Sequence, residues 1–141
     1  MNLYAVLKDE DVFLTNDLYP RAFSENWQVI PTLIKRGASV GANATIVCGV
    51  TLGEYCMVAA GTVVTKSIPA HGLVMGNPGR LRGFVCKCGQ KLGCREPDSH
   101  IIDGDRVELI CKGCEEITSV NLDLYRLVFK DVEGLEIGTF M

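Results

Sequence analysis

Residues 32–66 read TLIKRGASVGANATIVCGVTLGEYCMVAAGTVVTK, and the fold turns on how Thr32–Lys66 is parsed. Ile34, Val40, Ile46, Leu52, Val58 and Val64 form an aliphatic column repeating every six residues. Four places after each stand Ala38, Ala44, Val50, Cys56, Thr62 and Ile68, most of them small. A helix repeats near 3.6 residues and a half-buried strand near 2, so neither accounts for a period of six. Gly41, Gly53 and Gly61 fall between the columns, where tight turns would need glycine. The pattern predicts an all-β solenoid of very short strands, each unit burying its apolar face only by stacking on the next. A glycine-rich antiparallel meander with an accidental period is the alternative. Val6 and Val12 begin a further turn of the repeat whose register a loop interrupts.

Working outward, the 141-residue chain fits one domain or two small ones. Residues 1–83 carry seven Lys/Arg against six Asp/Glu, whereas residues 84–141 carry seven against eleven. Neither half makes the basic footprint that a phosphate backbone requires, which argues against a nucleic-acid partner. Met1–Leu7 lacks the basic start of a signal peptide, and no apolar run approaches the roughly 18 residues of a membrane span. A soluble, reducing, cytoplasmic setting follows, in which clustered cysteines are more often metal ligands than disulfides.

Cys86-Lys87-Cys88 and Cys111-Lys112-Gly113-Cys114 form two close pairs among the seven cysteines. Four thiolates at Cys86, Cys88, Cys111 and Cys114 make a closed tetrahedral Zn2+ site with no position for water, hence structural and not catalytic. The first knuckle has one spacer residue where two are usual. Cys94 is read as spare, His100 as a weak alternative ligand, and Cys48 and Cys56 as inert buried thiols. Between the pairs, HIIDGDRVELI reads as two strands about Asp103-Gly104, and ITSVNLDLYRLVF as a further strand.

Ahead of the repeat, VFLTNDLYPRA (Val12–Ala22) starts like a strand and breaks into a polar, aromatic and basic loop of about residues 15–31. TNDLYPRA, the hexads with their SIPAHGLVMGNPGRL exit, and GFVCKCGQKL together resemble the hexapeptide-repeat N-acetyltransferases that acetylate amino-sugar nucleotides for bacterial surface polysaccharides. The likeness runs from about Asp11 to Leu92. It implies a left-handed parallel β-helix over residues 1–83, followed by a zinc-ribbon-like domain over 84–141. It also implies a homotrimer, with acetyl-CoA along the groove between neighbouring subunits and a nucleotide-linked amino sugar near the loop. Asn16 matches the family's loop asparagine, whose carboxamide oxygen orients the attacking amine. The same resemblance makes Tyr19 and Arg21 contacts to the sugar nucleotide. It makes Ala60, Lys66, Pro78 and Arg80 contacts to the cofactor. An Asn-Asp pair also caps turns through its side chains, which gives Asn16 a purely structural alternative. His71, beyond the last hexad, is read as an exposed loop residue and not a base. Relatives place several more coils before the loop, so a catalytically silent oligomerising or binding module is the second expectation.

Overall fold

The computed structural model describes residues 12–93 and 100–129, together with the backbone of residues 6–7. Eight two-residue strands come first: β1 (Val6–Leu7), β2 (Phe13–Leu14), β3 (Leu33–Ile34), β4 (Ser39–Val40), β5 (Thr45–Ile46), β6 (Thr51–Leu52), β7 (Met57–Val58) and β8 (Val63–Val64). They pair in parallel as three faces. The first is β1-β4-β7, continued by β9 (Gly72–Met75); the second is β2-β5-β8; the third is β3-β6. Ser39 lies beside Met57, Thr45 beside Val63 and Leu33 beside Thr51, so the chain returns to each face after three hexads. This is a parallel β-solenoid of triangular turns. The antiparallel meander is excluded by the parallel pairing.

Both columns of the repeat point inward. All six aliphatic positions from Ile34 to Val64 are buried, and so are Ala38, Ala44, Val50, Cys56, Thr62 and Ile68. The small column is small because the interior narrows at the corners, and Thr62 takes its hydroxyl there without a hydrogen-bond partner among the described residues. The glycines divide by cause. A Cβ at Gly41 would sit 2.6 Å from the backbone nitrogen of Ala60, so this glycine permits close approach of coils. Gly61 instead takes φ +72°, with open space around it, and serves the turn itself.

The incomplete first turn corrects the expected register. Leu7 and Leu14 align with Val40 and Ile46, whereas Val6 aligns with Ser39, so the repeat does not extend through Val6 and Val12. Seven residues separate Leu7 from Leu14, one more than a hexad. Twenty then separate Phe13 from Leu33, where six separate neighbouring strands later on, and the excess is extruded as the loop.

Past the hexads, β9 turns back into β10 (Arg80–Val85), which pairs antiparallel with β9 and with β11 (Lys91–Leu92). The first solenoid face thereby extends to six strands. A separate antiparallel sheet contains β12 (His100–Asp103), β13 (Arg106–Ile110) and β14 (Ile117–Asn121). The buried core divides near Gly83: one cluster fills the solenoid, and a second gathers Phe84, Cys86, Leu92, Val107, Leu109, Cys111, Val120 and Tyr125. Strand β10 runs through that division, its register against β9 shifting between Leu81 and Gly83.

The strand expected over ITSVNLDLYRLVF is only half present, because β14 ends at Asn121 and α1 (Leu122–Val128) follows. The Asn121 side chain accepts from the N–H groups of Asp123 and Leu124, an N-cap, and Asp123 and Arg126 suit the two ends of the helix dipole. Leu122, Tyr125, Val128 and Phe129 then share one helical face on the second cluster. Among the described residues no helix is long and apolar enough to cross a membrane.

Candidate functional site

The loop leaves the solenoid at the end of β2, and three hydrogen bonds define how. Thr15 N–H donates to the carbonyl of Ile46 at 3.0 Å, carrying the β2–β5 ladder one residue further. The Thr15 hydroxyl accepts from the N–H of Cys48 at 3.0 Å. Asn16 then uses its carbonyl to accept from Ile30 N–H at 3.0 Å, which draws the two ends of the loop together. Beneath that junction lies a groove of about 250 Å³ lined by Leu14, Thr15, Asn16, Val29, Ile30 and Thr32, with Pro31 and Ile34 completing it.

Within the Asn-Asp pair the two side chains differ in what they bond. Asp17 makes the turn, its carboxylate oxygen accepting from Tyr19 N–H at 3.0 Å. The carboxamide of Asn16 makes no hydrogen bond among the described residues and stands exposed at the groove. An unengaged amide can both accept and donate, which is what a polar ligand needs. Thr32, not singled out from the sequence, contributes a hydroxyl in the same groove that is shielded and has no partner among the described residues. Nothing in its local pattern marks it, since its place follows from how the loop closes.

Tyr19 and Arg21 lie on the exposed loop, Tyr19 80% exposed, and neither lines the groove. Lys66 follows β8 as Asn16 follows β2; with β5 between them, these residues leave the same face two rungs apart, roughly 10 Å along the axis. Ala60 and Pro78 occupy a different corner, before β8, where the Gly76 carbonyl and Gly79 N–H both bond to Val63. The N–H of Ala60 has no acceptor among the described residues. Arg80 is exposed and donates from its guanidinium to the Gly79 carbonyl at 3.2 Å. The candidates thus fall into two groups, one at the loop corner and one at the exit from the last hexad.

His71 is not the exposed loop residue expected. It is half-buried at φ +61°, its Nδ1 lies 2.9 Å from the carbonyl of Val85, and its ring stacks on Tyr55 at 5.5 Å. A carbonyl only accepts, so Nδ1 carries the proton. Lys87 Nζ lies 5.2 Å from the centre of the Tyr55 ring, joining the first cysteine knuckle to the solenoid.

The sulfurs of Cys86, Cys88, Cys111 and Cys114 all lie within 4.8 Å of one another. The Cys86–Cys114 and Cys88–Cys111 separations are 3.3 and 3.6 Å. Four thiolates about 2.3 Å from a tetrahedral zinc stand about 3.8 Å apart, so this cluster is of the size that zinc requires. The environment splits the thiols. The backbone N–H of Cys114 chiefly draws Cys111 down to about 7, while burial pushes Cys86 up. Cys114, although the Glu116 N–H favours its thiolate, is driven up to about 12 by the Cys86 sulfur and by desolvation. Four thiols this close cannot all ionise unaided, and a bound dication would supply the missing positive charge. The single-residue spacer of the first knuckle does not prevent convergence. Cys94 lies outside the described residues, and His100 packs on Tyr125 instead of joining the cluster. Cys56 is buried and pushed up to about 12 by desolvation, which leaves it inert as a nucleophile.

Comparison with known proteins places this geometry in context. The family model described as bacterial transferase hexapeptide (six repeats) matches residues 31–66. The dTDP-3-amino-3,6-dideoxy-alpha-D-galactopyranose 3-N-acetyltransferase of Aneurinibacillus thermoaerophilus is 56% identical over 61 residues, 43% of this chain and 32% of that enzyme. Serine acetyltransferase 4 of Arabidopsis thaliana is 49% identical over 49 residues, 35% of this chain and 14% of that enzyme. The matched region therefore spans about a third or less of these relatives' length. Among solved structures, AntD, an N-acyltransferase from Bacillus cereus in complex with dTDP and 3-hydroxybutyryl-CoA, aligns at TM-score 0.47 and 20% identity, over 55% of this chain and 47% of that one. A likeness at that level carries no chemical argument.

Proposed function

We propose that this protein is an acetyl-CoA-dependent N-acetyltransferase acting on the amino group of a nucleotide-linked amino sugar in bacterial surface polysaccharide synthesis. The observation that carries the reading is the 56% identity to an enzyme named for acetylating a 3-amino sugar on dTDP. The unengaged Asn16 carboxamide beside a groove supports it with a suitable chemical group.

In the proposed reaction the neutral sugar amine attacks the thioester carbonyl of acetyl-CoA, forming a C–N bond as the C–S bond breaks. The amine proton goes to water or the departing sulfur, giving an amide and free CoA thiol. The Asn16 carboxamide oxygen accepts an N–H of the amine and aims the nitrogen lone pair at the carbonyl. A carboxamide is too weak a base to remove the proton, so its contribution is orientation. Tyr19 and Arg21 meet the sugar nucleotide, the guanidinium facing anionic oxygen. Ala60, through an N–H without an acceptor among the described residues, joins Lys66, Pro78 and Arg80 in holding the cofactor. The two groups of residues suit an extended cofactor whose thioester end reaches the loop corner.

We take the hexads as a left-handed β-helix over residues 1–83 that assembles as a homotrimer. Phe13, Tyr19, Phe23 and Trp27 expose an apolar surface on and beside the loop that a neighbouring copy would cover. Residues 84–141 are proposed to form a zinc-ribbon-like unit, with Zn2+ held by Cys86, Cys88, Cys111 and Cys114 as a structural ion, in a reducing cytoplasm. The metal closes the junction of β10, β11 and β13 and takes no part in acetyl transfer.

The test is thiol release from acetyl-CoA in the presence of 3-amino and 4-amino sugar nucleotides carrying dTDP or UDP. Release dependent on one of these acceptors is expected. No release from any acceptor, with no rise in melting temperature on adding CoA, would leave the silent oligomerising module as the reading.

A further inference from the structure

Asn16 acts by orientation only if its backbone is fixed, yet it opens a loop whose side chains are largely exposed. One residue earlier the structure provides an anchor. At the corner after β5 the chain leaves the backbone ladder, and the N–H of Cys48, a buried residue, is taken by the side-chain oxygen of Thr15 at 3.0 Å. The same device recurs at the neighbouring rung, where Thr51 N–H donates to the Ser67 hydroxyl at 2.9 Å. Thr15 therefore grips the neighbouring rung twice, through its own N–H to Ile46 on β5 and through its hydroxyl to Cys48 at the corner beyond. Asn16 is held immediately beyond by its carbonyl to Ile30 N–H, and Thr15 and Asn16 both line the groove.

We propose that Thr15 is a positioning residue for the transfer: its hydroxyl, bonded to Cys48 N–H, sets the direction in which Asn16 projects over the groove. The proposal rests on the amino-sugar reading above and adds to it a residue that acts through Asn16. Threonine suits the place because its β-branched side chain fits the strand end while its oxygen reaches the next rung. Valine keeps the shape and removes the acceptor. Serine keeps the acceptor and removes the methyl group. Since a small misplacement of a reacting group is costly in rate, loss of the hydroxyl should appear in turnover before it appears in cofactor affinity.

The experiment compares wild type, Thr15→Val and Thr15→Ser in the thiol-release assay with the amino-sugar nucleotide that wild type accepts. Amide exchange at Cys48 and Ile30 is followed on the same samples. Thr15→Val is expected to lower kcat about tenfold with KM for acetyl-CoA within about twofold of wild type. Thr15→Ser should restore kcat to within about twofold, and exchange at both amides should quicken in the valine variant alone. Unchanged kcat in Thr15→Val overturns the proposal while leaving the activity standing. So does an equal loss of turnover and acetyl-CoA affinity that serine fails to rescue. A wild-type protein that releases no thiol with any acceptor removes the reaction, and the proposal with it.

Discussion

Replacing Ile46 by alanine tests the solenoid register at its most sensitive point. Ile46 is fully buried on β5, with Leu14 aligned on one rung and Val64 on the next. The substitution removes three carbons, worth about 0.8 kcal/mol each in transfer, and leaves a cavity between rungs that cannot close without shifting both. A loss of about 3–4 kcal/mol is expected. Val47, next in sequence, points outward and is only half-buried, so Val47→Ala should cost less than about 1 kcal/mol. Leu14 occupies the same inward column but is 46% exposed, because among the described residues no rung stacks beyond it. Its alanine variant should therefore lose about half the transfer energy, roughly 1–1.5 kcal/mol. Urea-unfolding midpoints of metal-loaded protein, with slopes compared for constancy, give the three values. The Ile46 variant should also melt about 10 °C lower. Equal losses at Ile46 and Val47, or a larger one at Val47, would refute the six-residue inward column.

Two further outcomes follow from the cysteines. Metal analysis should find about one zinc per chain, and Cys111→Ser or chelation should loosen β11–β14 while the buried solenoid column stays protected from exchange; metal-free protein with full protection in both parts would contradict this. Burial pushes the Cys56 thiol up to about 12 when folded, from 9.0 for an unburied thiol. The folded state therefore holds this proton more tightly, and the stability tied to it is complete below pH 9 and lost as pH rises toward 12. Melting temperatures followed from pH 8 to 11 should fall less steeply in Cys56→Ala than in wild type, and identical slopes would count against the buried neutral thiol.

Hexad spacing was legible because a period of six survives any choice of loop. It named the two buried columns from Ile34 to Ile68, Cys48 being buried outside both, and the cysteine pairs likewise announced their convergence. What spacing could not deliver depended on contacts distant in sequence. Val6 and Val12 looked like a continuation of the column, but pairing with β4 and β5 puts Leu7 and Leu14 there instead. VNLDLYRLVF alternates well enough to pass for a strand, and only the cap made by Asn121 and the burial of Tyr125 reveal the helix. His71 had no local sign of its contacts with Tyr55 and Val85, since the first arises from stacking of rungs and the second from the return of β10 against β9. The division of labour between Asn16 and Asp17 was open in the sequence for the same reason: either can cap a turn, and the fold assigns that task to Asp17.

On the proposed reading the Asn16 side chain orients the amine and does nothing else, while its backbone carbonyl holds the loop closed through Ile30 N–H. The direct measurement of that role is kcat for thiol release by Asn16→Ala set beside the dissociation constant for CoA on the same preparation. A fall in kcat of about tenfold or more is expected, with CoA binding within about twofold of wild type. A parallel loss of both would show that Asn16 merely holds the loop, and unchanged turnover would show that the amine is aimed by something else.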